Sequence, residues 1–116
     1  VTDNRSILTR LAEIIQDRKQ NPPPRSYTTS LMQGGVEKIG KKVLEEAAEV
    51  VDAARQLEKQ ENRDSDSSAH LVAEAADLTY HLLVMLGYFD LSLTPVENEL
   101  DRRFGVSGLD EKAARE

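Results

Sequence analysis

Apolar residues recur along this chain at helical spacing, and the stretches between them are polar or rich in proline. The first stripe is Ile7, Leu8, Leu11, Ile14 and Ile15, one face of an amphipathic helix that Asn4 or Asp3 is placed to cap. Pro22, Pro23 and Pro24 end it. Ser26-Tyr27-Thr28-Thr29-Ser30 is too hydroxyl-rich for a core element, and with Leu31-Met32 and Gly34-Gly35 it reads as a structured connector. From Val36, the positions Ile39, Val43, Ala47, Val50, Ala54 and Leu57 step by three and four, predicting a helix of roughly 25 residues. The run from Glu58 to Ser68 is polar throughout and is expected to be a mobile loop between helices. His70 to Phe89 is apolar nearly all round, which predicts a central helix buried on most sides. Asp90-Leu91-Ser92-Leu93 interrupts it, and Thr94-Pro95-Val96-Glu97 supplies an N-cap, a proline at the first helical position and a capping-box acid. The fourth helix so opened runs to about Phe104. Gly105 and Gly108 bracket a turn, and the charged tail from Leu109 to Glu116 has little apolar periodicity.

With no alternating strand pattern and no internal repeat, the expected class is all-α, a single domain over residues 1–116 shaped like a four-helix bundle. A chain of 116 residues supports one hydrophobic core and one site. Two Phe, three Tyr and no Trp leave Leu, Val, Ile and Ala to fill that core, which suits close helix-on-helix packing. A central helix apolar on so many faces exceeds what three neighbours cover, so a homodimer or higher homo-oligomer is expected.

Composition narrows the function. The absence of Cys excludes disulfides, thiolate metal sites and a cysteine nucleophile. The net charge of -6, from 21 acids against 15 Lys and Arg, disfavours a grip on bulk nucleic acid. No run approaches the roughly 18 apolar residues of a membrane span, and Val1-Thr2-Asp3-Asn4 lacks a basic region followed by an apolar one. A soluble, cytoplasmic protein that engages neither membrane nor nucleic acid is expected. If it handles an anionic small molecule, it must reverse its local field, and bound metal is the usual device.

The acids supply the means. At about 100° per residue, Glu46 lies roughly 60° and Glu49 roughly 120° from the centre of the long helix's apolar face, with Lys42 between them in direction and Glu45 opposite. On the central helix, Glu74, Asp77, His81 and Tyr88 fall within an arc of roughly 60°. Acids on a mostly buried helix are costly unless paired or metal-bound. Two helices, each with an E-x-x-[ED] pair, can face one another across a cleft and hold cations. Oxygen-only donors select hard cations, and magnesium held by carboxylates keeps positions open for water and substrate phosphates. Calcium would bring an Asp/Asn/Gly-rich loop, zinc His or Cys ligands, and a di-iron bundle Glu-x-x-His on two helices. Each residue also has a bland reading. Glu46/Glu49 suit a solvated face with an i,i+4 pair from Lys42 to Glu46, and Glu74/Asp77 suit a buried salt bridge with Arg102, Arg103 or Lys42. His81 reads as a satisfied core histidine, Tyr80 as packing, Gly34-Gly35 as a turn, and Lys38, Lys42, Arg103, Lys112 and Arg115 as surface charges.

Taken together, the motifs resemble a known family. Glu46-x-x-Glu49 followed by Glu74-x-x-Asp77 is similar to the pattern of the all-α nucleoside triphosphate pyrophosphohydrolases, which include MazG and dimeric dUTPases. Four blocks resemble the phosphoribosyl-ATP pyrophosphohydrolases of histidine biosynthesis within that superfamily: Ser26-Tyr27-Thr28, Lys42-Val43-Leu44-Glu45-Glu46-Ala47, Glu74 to Leu83, and Ser107 to Arg115. Leu44 departs from the small residue expected there. The resemblance implies Mg²⁺-dependent hydrolysis of phosphoribosyl-ATP to phosphoribosyl-AMP and pyrophosphate, the second step of histidine synthesis. The length leaves no room for the cyclohydrolase fused to this domain in some organisms, so the stand-alone form is expected.

On this expectation Glu46, Glu49, Glu74 and Asp77 bind Mg²⁺, Glu46 doubles as the base, and Lys38, Lys42, Arg103, Lys112 and Arg115 are candidate phosphate contacts. The nearest alternative is a house-cleaning nucleoside triphosphate pyrophosphohydrolase using the same carboxylates. From a different class, a non-enzymatic helical dimerisation module would need no Mg²⁺.

Overall fold

The computed structural model describes residues 3–60 and 65–105. Four helices follow in order: α1 (Ile7–Gln20), α2 (Tyr27–Glu58), α3 (Ser65–Tyr88) and α4 (Thr94–Phe104). No strand occurs among the described residues, so the class is all-α. The expected loop at Glu58 to Ser68 is shorter than its composition suggests, since α2 runs through Glu58 and α3 begins at Ser65; its middle, 61–64, lies outside the described residues.

Helix α1 is capped by Ser6, whose hydroxyl accepts from the Leu8 N–H at 3.2 Å, and not by Asn4 or Asp3. Asp3 is engaged elsewhere, in an ion pair with Arg5 at 2.9 Å. The hydroxyl-rich segment expected as a connector is instead the first turn of α2. Ser26 caps it by accepting from the Thr29 N–H at 3.2 Å, satisfying a helix-start donor with a local side chain. Thr29, Leu31 and Met32 beyond it are buried.

Gly34-Gly35 is neither a connector nor a free turn: α2 passes through it with a kink at Gly35 (φ 68°, ψ -162°). That φ is open to glycine without strain, and a Cβ there would also sit 3.3 Å from the Tyr88 hydroxyl. The bend lets both halves of α2 follow α3, the most extensive helix pairing in the molecule.

The core is Ile15 of α1, Leu31, Met32 and Ile39 of α2, and Leu83 and Val84 of α3. Gly87 brings α1 close to α3, since a Cβ there would lie 2.8 Å from Ile15 Cγ2. Helix α3 ends as predicted at Asp90, which adopts the left-handed φ of 60°. The Leu91 N–H bonds to the Leu86 carbonyl at 2.9 Å and the Asp90 N–H to that of Gly87 at 3.0 Å, the two bonds of a Schellman ending. Lys19 of α1 reinforces it, donating to the Tyr88 carbonyl and to Asp90 Oδ1, each at 2.7 Å.

Two expectations about the second half are corrected. Thr94 is the first residue of α4 and not its cap; Leu93, which packs on the core, occupies the cap position with helical dihedrals and no side-chain bond. And α3 is not buried on most sides by this chain. Among the described residues α1 and α2 approach it closely, α4 faces its Leu86 only across an open cavity, and Val72 and Leu82 of α3 stay exposed.

Candidate metal centre

Glu46 lies on the face of α2 that meets α3, and Glu74 and Asp77 lie one turn apart on α3. One carboxylate oxygen from each of the three comes within 4.8 Å of the other two. Among the described residues no other group of acids or histidines converges in this way. Glu46 is buried, at 7% exposure, deeper than its place at the margin of the apolar stripe predicted. Glu74 is half-buried, Asp77 and Glu49 exposed.

Two of the oxygens, Glu46 Oε2 and Glu74 Oε2, are buried without a hydrogen-bond partner. A desolvated, unpaired carboxylate is strongly disfavoured, and the protonation equilibria register it. Burial first, then hydrogen bonding with Glu49, then the charges of Glu49, Asp77 and Glu74 push the Glu46 carboxyl up to about 7. Hydrogen bonding with Glu49, followed by burial and the charges of Glu49 and Asp77, raises Glu74 as well, against a lowering influence from His70. Glu49 is outside the converging triplet of oxygens but borders it through both neighbours. Buried, orphaned, oxygen-only donors facing one another are the donor set of a hard cation.

The salt-bridge alternative for Glu74 and Asp77 does not hold with the expected partners. Arg102 and Arg103 each bond Glu99 on their own helix at 2.7 Å, and Lys42 pairs at 3.2 Å with Glu45, not with Glu46. The partner that Glu74 does meet is one the spacing could have given: His70, four residues earlier on α3, whose Nε2 is 3.3 Å from Glu74 Oε1.

A family model described as phosphoribosyl-ATP pyrophosphohydrolase matches residues 8–104, which span α1 to α4 and both acidic pairs. The chain belongs to that family. It is 50% identical over 94% of its length to a phosphoribosyl-ATP pyrophosphatase of Nitrosospira multiformis, covering 83% of that protein. The same name is carried by a Hydrogenovibrio crunogenus relative, 47% identical over 94% of this chain and 92% of its own. A third, from Geotalea daltonii, is 43% identical over 97% and 98%. Leu44, the departure from the family's small residue, is 74% exposed, so the larger side chain meets no steric bar.

The remaining predicted residues divide by place. Lys38 donates to the Ser30 hydroxyl on the same helix and Lys42 stands one turn before Glu46, so both are on α2 with the acids. Arg103 is on α4, bonded to Glu99, and the structure does not bring it to the cluster. Lys112 and Arg115, with the rest of the Ser107 to Arg115 block, lie outside the described residues. His81 is the satisfied core histidine expected: its Nδ1 lies 2.7 Å from the Asp77 carbonyl, its Nε2 2.9 Å from the Tyr27 hydroxyl. Tyr80 packs beside it and shares a hydrogen bond with Thr28. Sequence reasoning did not foresee Tyr27, because the segment holding it was not read as helical.

Proposed function

We propose that this chain holds Mg²⁺ between Glu46, Glu49, Glu74 and Asp77 and uses it to hydrolyse phosphoribosyl-ATP to phosphoribosyl-AMP and pyrophosphate in histidine biosynthesis. The observation that carries the metal is the pair of buried carboxylate oxygens without partners, within a cluster of acids that family membership connects with pyrophosphate release. Bound there, Mg²⁺ would supply charge neutralisation for the triphosphate and for the departing pyrophosphate.

The chain's own residues do the rest. Asp77, the most exposed of the converging three, faces the entering phosphates, whereas Glu46 sits at the floor. Glu46, the most buried of the converging acids, is the proposed base that takes the proton from the attacking water. The water oxygen forms the new bond to phosphorus, the phosphoanhydride bond opens, and the electron pair leaves with pyrophosphate. Lys38 and Lys42 are proposed phosphate contacts on the α2 side; Lys112 and Arg115 join them on the resemblance alone.

The chain is proposed to work as one domain, in the cytoplasm, and as a homodimer or higher homo-oligomer. The last is supported by the apolar residues that the single chain leaves exposed on the two helices that carry the acids, Leu44 and Val51 on α2 and Val72 and Leu82 on α3. No described helix is long and apolar enough to cross a membrane. The test is pyrophosphate release from phosphoribosyl-ATP with Mg²⁺ and again with chelator, beside ordinary nucleoside triphosphates. Release that survives chelation would remove the metal, and equal rates on ordinary triphosphates would favour the house-cleaning alternative.

A further inference from the structure

Tyr27 is the first residue of α2 and keeps 50% of its surface exposed although its hydroxyl is fixed. A carbonyl can only accept, so the His81 Nδ1–H donates to the Asp77 carbonyl at 2.7 Å, and Nε2 is left to accept from the Tyr27 O–H at 2.9 Å. His81 is itself 4% exposed. The chain of bonds therefore runs from the backbone carbonyl of a proposed metal ligand, through a buried ring bonded at both nitrogens, to the half-exposed tyrosine. Tyr80 lies against the Tyr27 ring with centroids 6.2 Å apart and planes inclined by 25°, and the Tyr80 hydroxyl is tied to Thr28. Exposed tyrosines usually move; this one is held at its tip by His81 and alongside by Tyr80.

Its position relative to the acids is also fixed. His81 is one helical turn, about 5.4 Å, beyond Asp77 on α3, and the Tyr27 hydroxyl feels the charges of Lys42 first and then of Glu46 and Glu45. The chain has no tryptophan, and both phenylalanines, Phe89 and Phe104, lie at or beyond the far end of α3. Tyr88, on the same arc of α3 as the acids, is the last residue of that helix, eleven positions beyond Asp77, so Tyr27 and Tyr80, which meet within a turn of Asp77, are the tyrosines closer to the acidic cluster. An anchored ring in offset contact with a second ring is a platform on which a nucleobase stacks.

We infer that Tyr27, backed by Tyr80 and locked by His81, is the stacking platform for the purine base of the nucleotide whose phosphates the carboxylate cluster engages. The inference rests on the nucleotide-hydrolase reading above and adds a base subsite to it. Recognition then spans two halves of α2, the base by the turn before the Gly35 kink and the phosphates by the residues after it. Because every base has a π-face, the platform fixes where the base lies without selecting among purines.

The absence of tryptophan gives a direct test. Tyr27→Trp introduces a sole indole at the platform, with Phe89→Trp as a control at a distance from the acids. Without metal, AMP is expected to quench the indole emission of the Tyr27→Trp protein saturably and ribose 5-phosphate to leave it unchanged, while neither alters the Phe89→Trp protein. In steady-state kinetics on phosphoribosyl-ATP, Tyr27→Leu should raise KM roughly ten- to a hundred-fold, the equivalent of one lost stacking contact, with a smaller change in kcat. Tyr27→Phe, which keeps the ring, should stay nearer to wild type than Tyr27→Leu. A merely structural tyrosine would also leave Phe milder than Leu through retained ring packing, but it would not make the Tyr27→Trp emission respond to AMP and ignore ribose 5-phosphate. Equal defects in the two variants, no quenching by AMP, or an emission that follows protein concentration and ignores AMP would each overturn the platform. If that happens while the wild type still releases pyrophosphate from phosphoribosyl-ATP, the platform alone falls; a wild type without that activity would remove the hydrolase reading itself.

Discussion

Glu46 on α2 and Glu99 on α4 are the same side chain on two exposed-looking helices, and the fold drives them in opposite directions. Glu99 has Arg102 and Arg103 within a turn, and hydrogen bonds from the two guanidinium groups, Arg102 first, hold its carboxyl down at about 2. Glu46 converges with other acids and is pushed up to about 7 by burial and by hydrogen bonding with Glu49. On α4 each charge finds its opposite locally, as on an ordinary solvated helix. Between α2 and α3 like charges are packed together and two oxygens are sealed from solvent. A protein keeps such an arrangement where something else supplies the opposite charge. The contrast separates a helix that balances its own charges from a pair whose charges the proposed metal would balance.

That contrast can be broken most directly at the acids. Glu46→Ala or Asp77→Ala should lower kcat/KM for pyrophosphate release by roughly a thousand-fold, the scale of several kcal/mol of metal-assisted charge stabilisation, with the helical circular dichroism retained. Full activity in either would sink the metal site; unfolding of Asp77→Ala would point instead to a structural role. Next in size is packing. Ile39→Ala, at a fully buried position between α2 and its neighbours, should cost about 2–5 kcal/mol in denaturant unfolding.

The protonation contrast gives a smaller effect with a definite sign. The folded value for Glu46 lies above its ordinary 4.5, so the metal-free protein should be most stable in acid and lose stability as pH rises through about 7. Asp3, Asp90 and Glu99 lie below their ordinary values and lose their contribution only in stronger acid, so they are silent in that window. With chelator present, the melting temperature should therefore fall between about pH 5 and about pH 8. Glu46→Gln should flatten that slope, and saturating Mg²⁺ should reverse it, because the ionised carboxylates bind it best. A melting temperature that rises with pH in chelator would contradict the assignment. The smallest change belongs to α4. Leu100→Ala, at a 51% exposed position that faces Leu86 of α3 across an open cavity, should shift the unfolding free energy of the dilute chain by less than about 0.5 kcal/mol, and a larger loss would mean that α4 is held more closely by contacts within the chain.

Helical period and punctuation made most of this fold legible. Ile15, Ile39 and Val84 are buried where stripes or apolar runs placed them, and both acidic pairs were visible as spacing. What was not legible depended on tertiary partners. Ser26 to Ser30 reads as polar until Thr28 meets Tyr80 and Tyr27 meets His81 across more than fifty intervening positions. Glu46 reads as marginal on a helical wheel, because a wheel cannot show that α3 covers that margin. Lys42 has two acids within reach along the helix, and only the rotamer decides that it bonds Glu45. In the same way α3 reads as central from its composition, although coverage depends on where α4 goes.

The bend at Gly35 has a mechanical side. The arm from Gly35 back to Tyr27 is eight residues long, or about 12 Å at helical rise, and it pivots on one residue with no side chain. By simple leverage, a bend differing by about 10° there would set the Tyr27 end about 2 Å from where it meets His81, whereas Glu46, on the opposite side of the bend, would keep its place against α3. One backbone torsion pair thus sets the span between the two ends of any molecule lying along α2, and stiffening it, as Gly35→Ala would attempt against its φ of 68°, fixes or spoils that span in a single change.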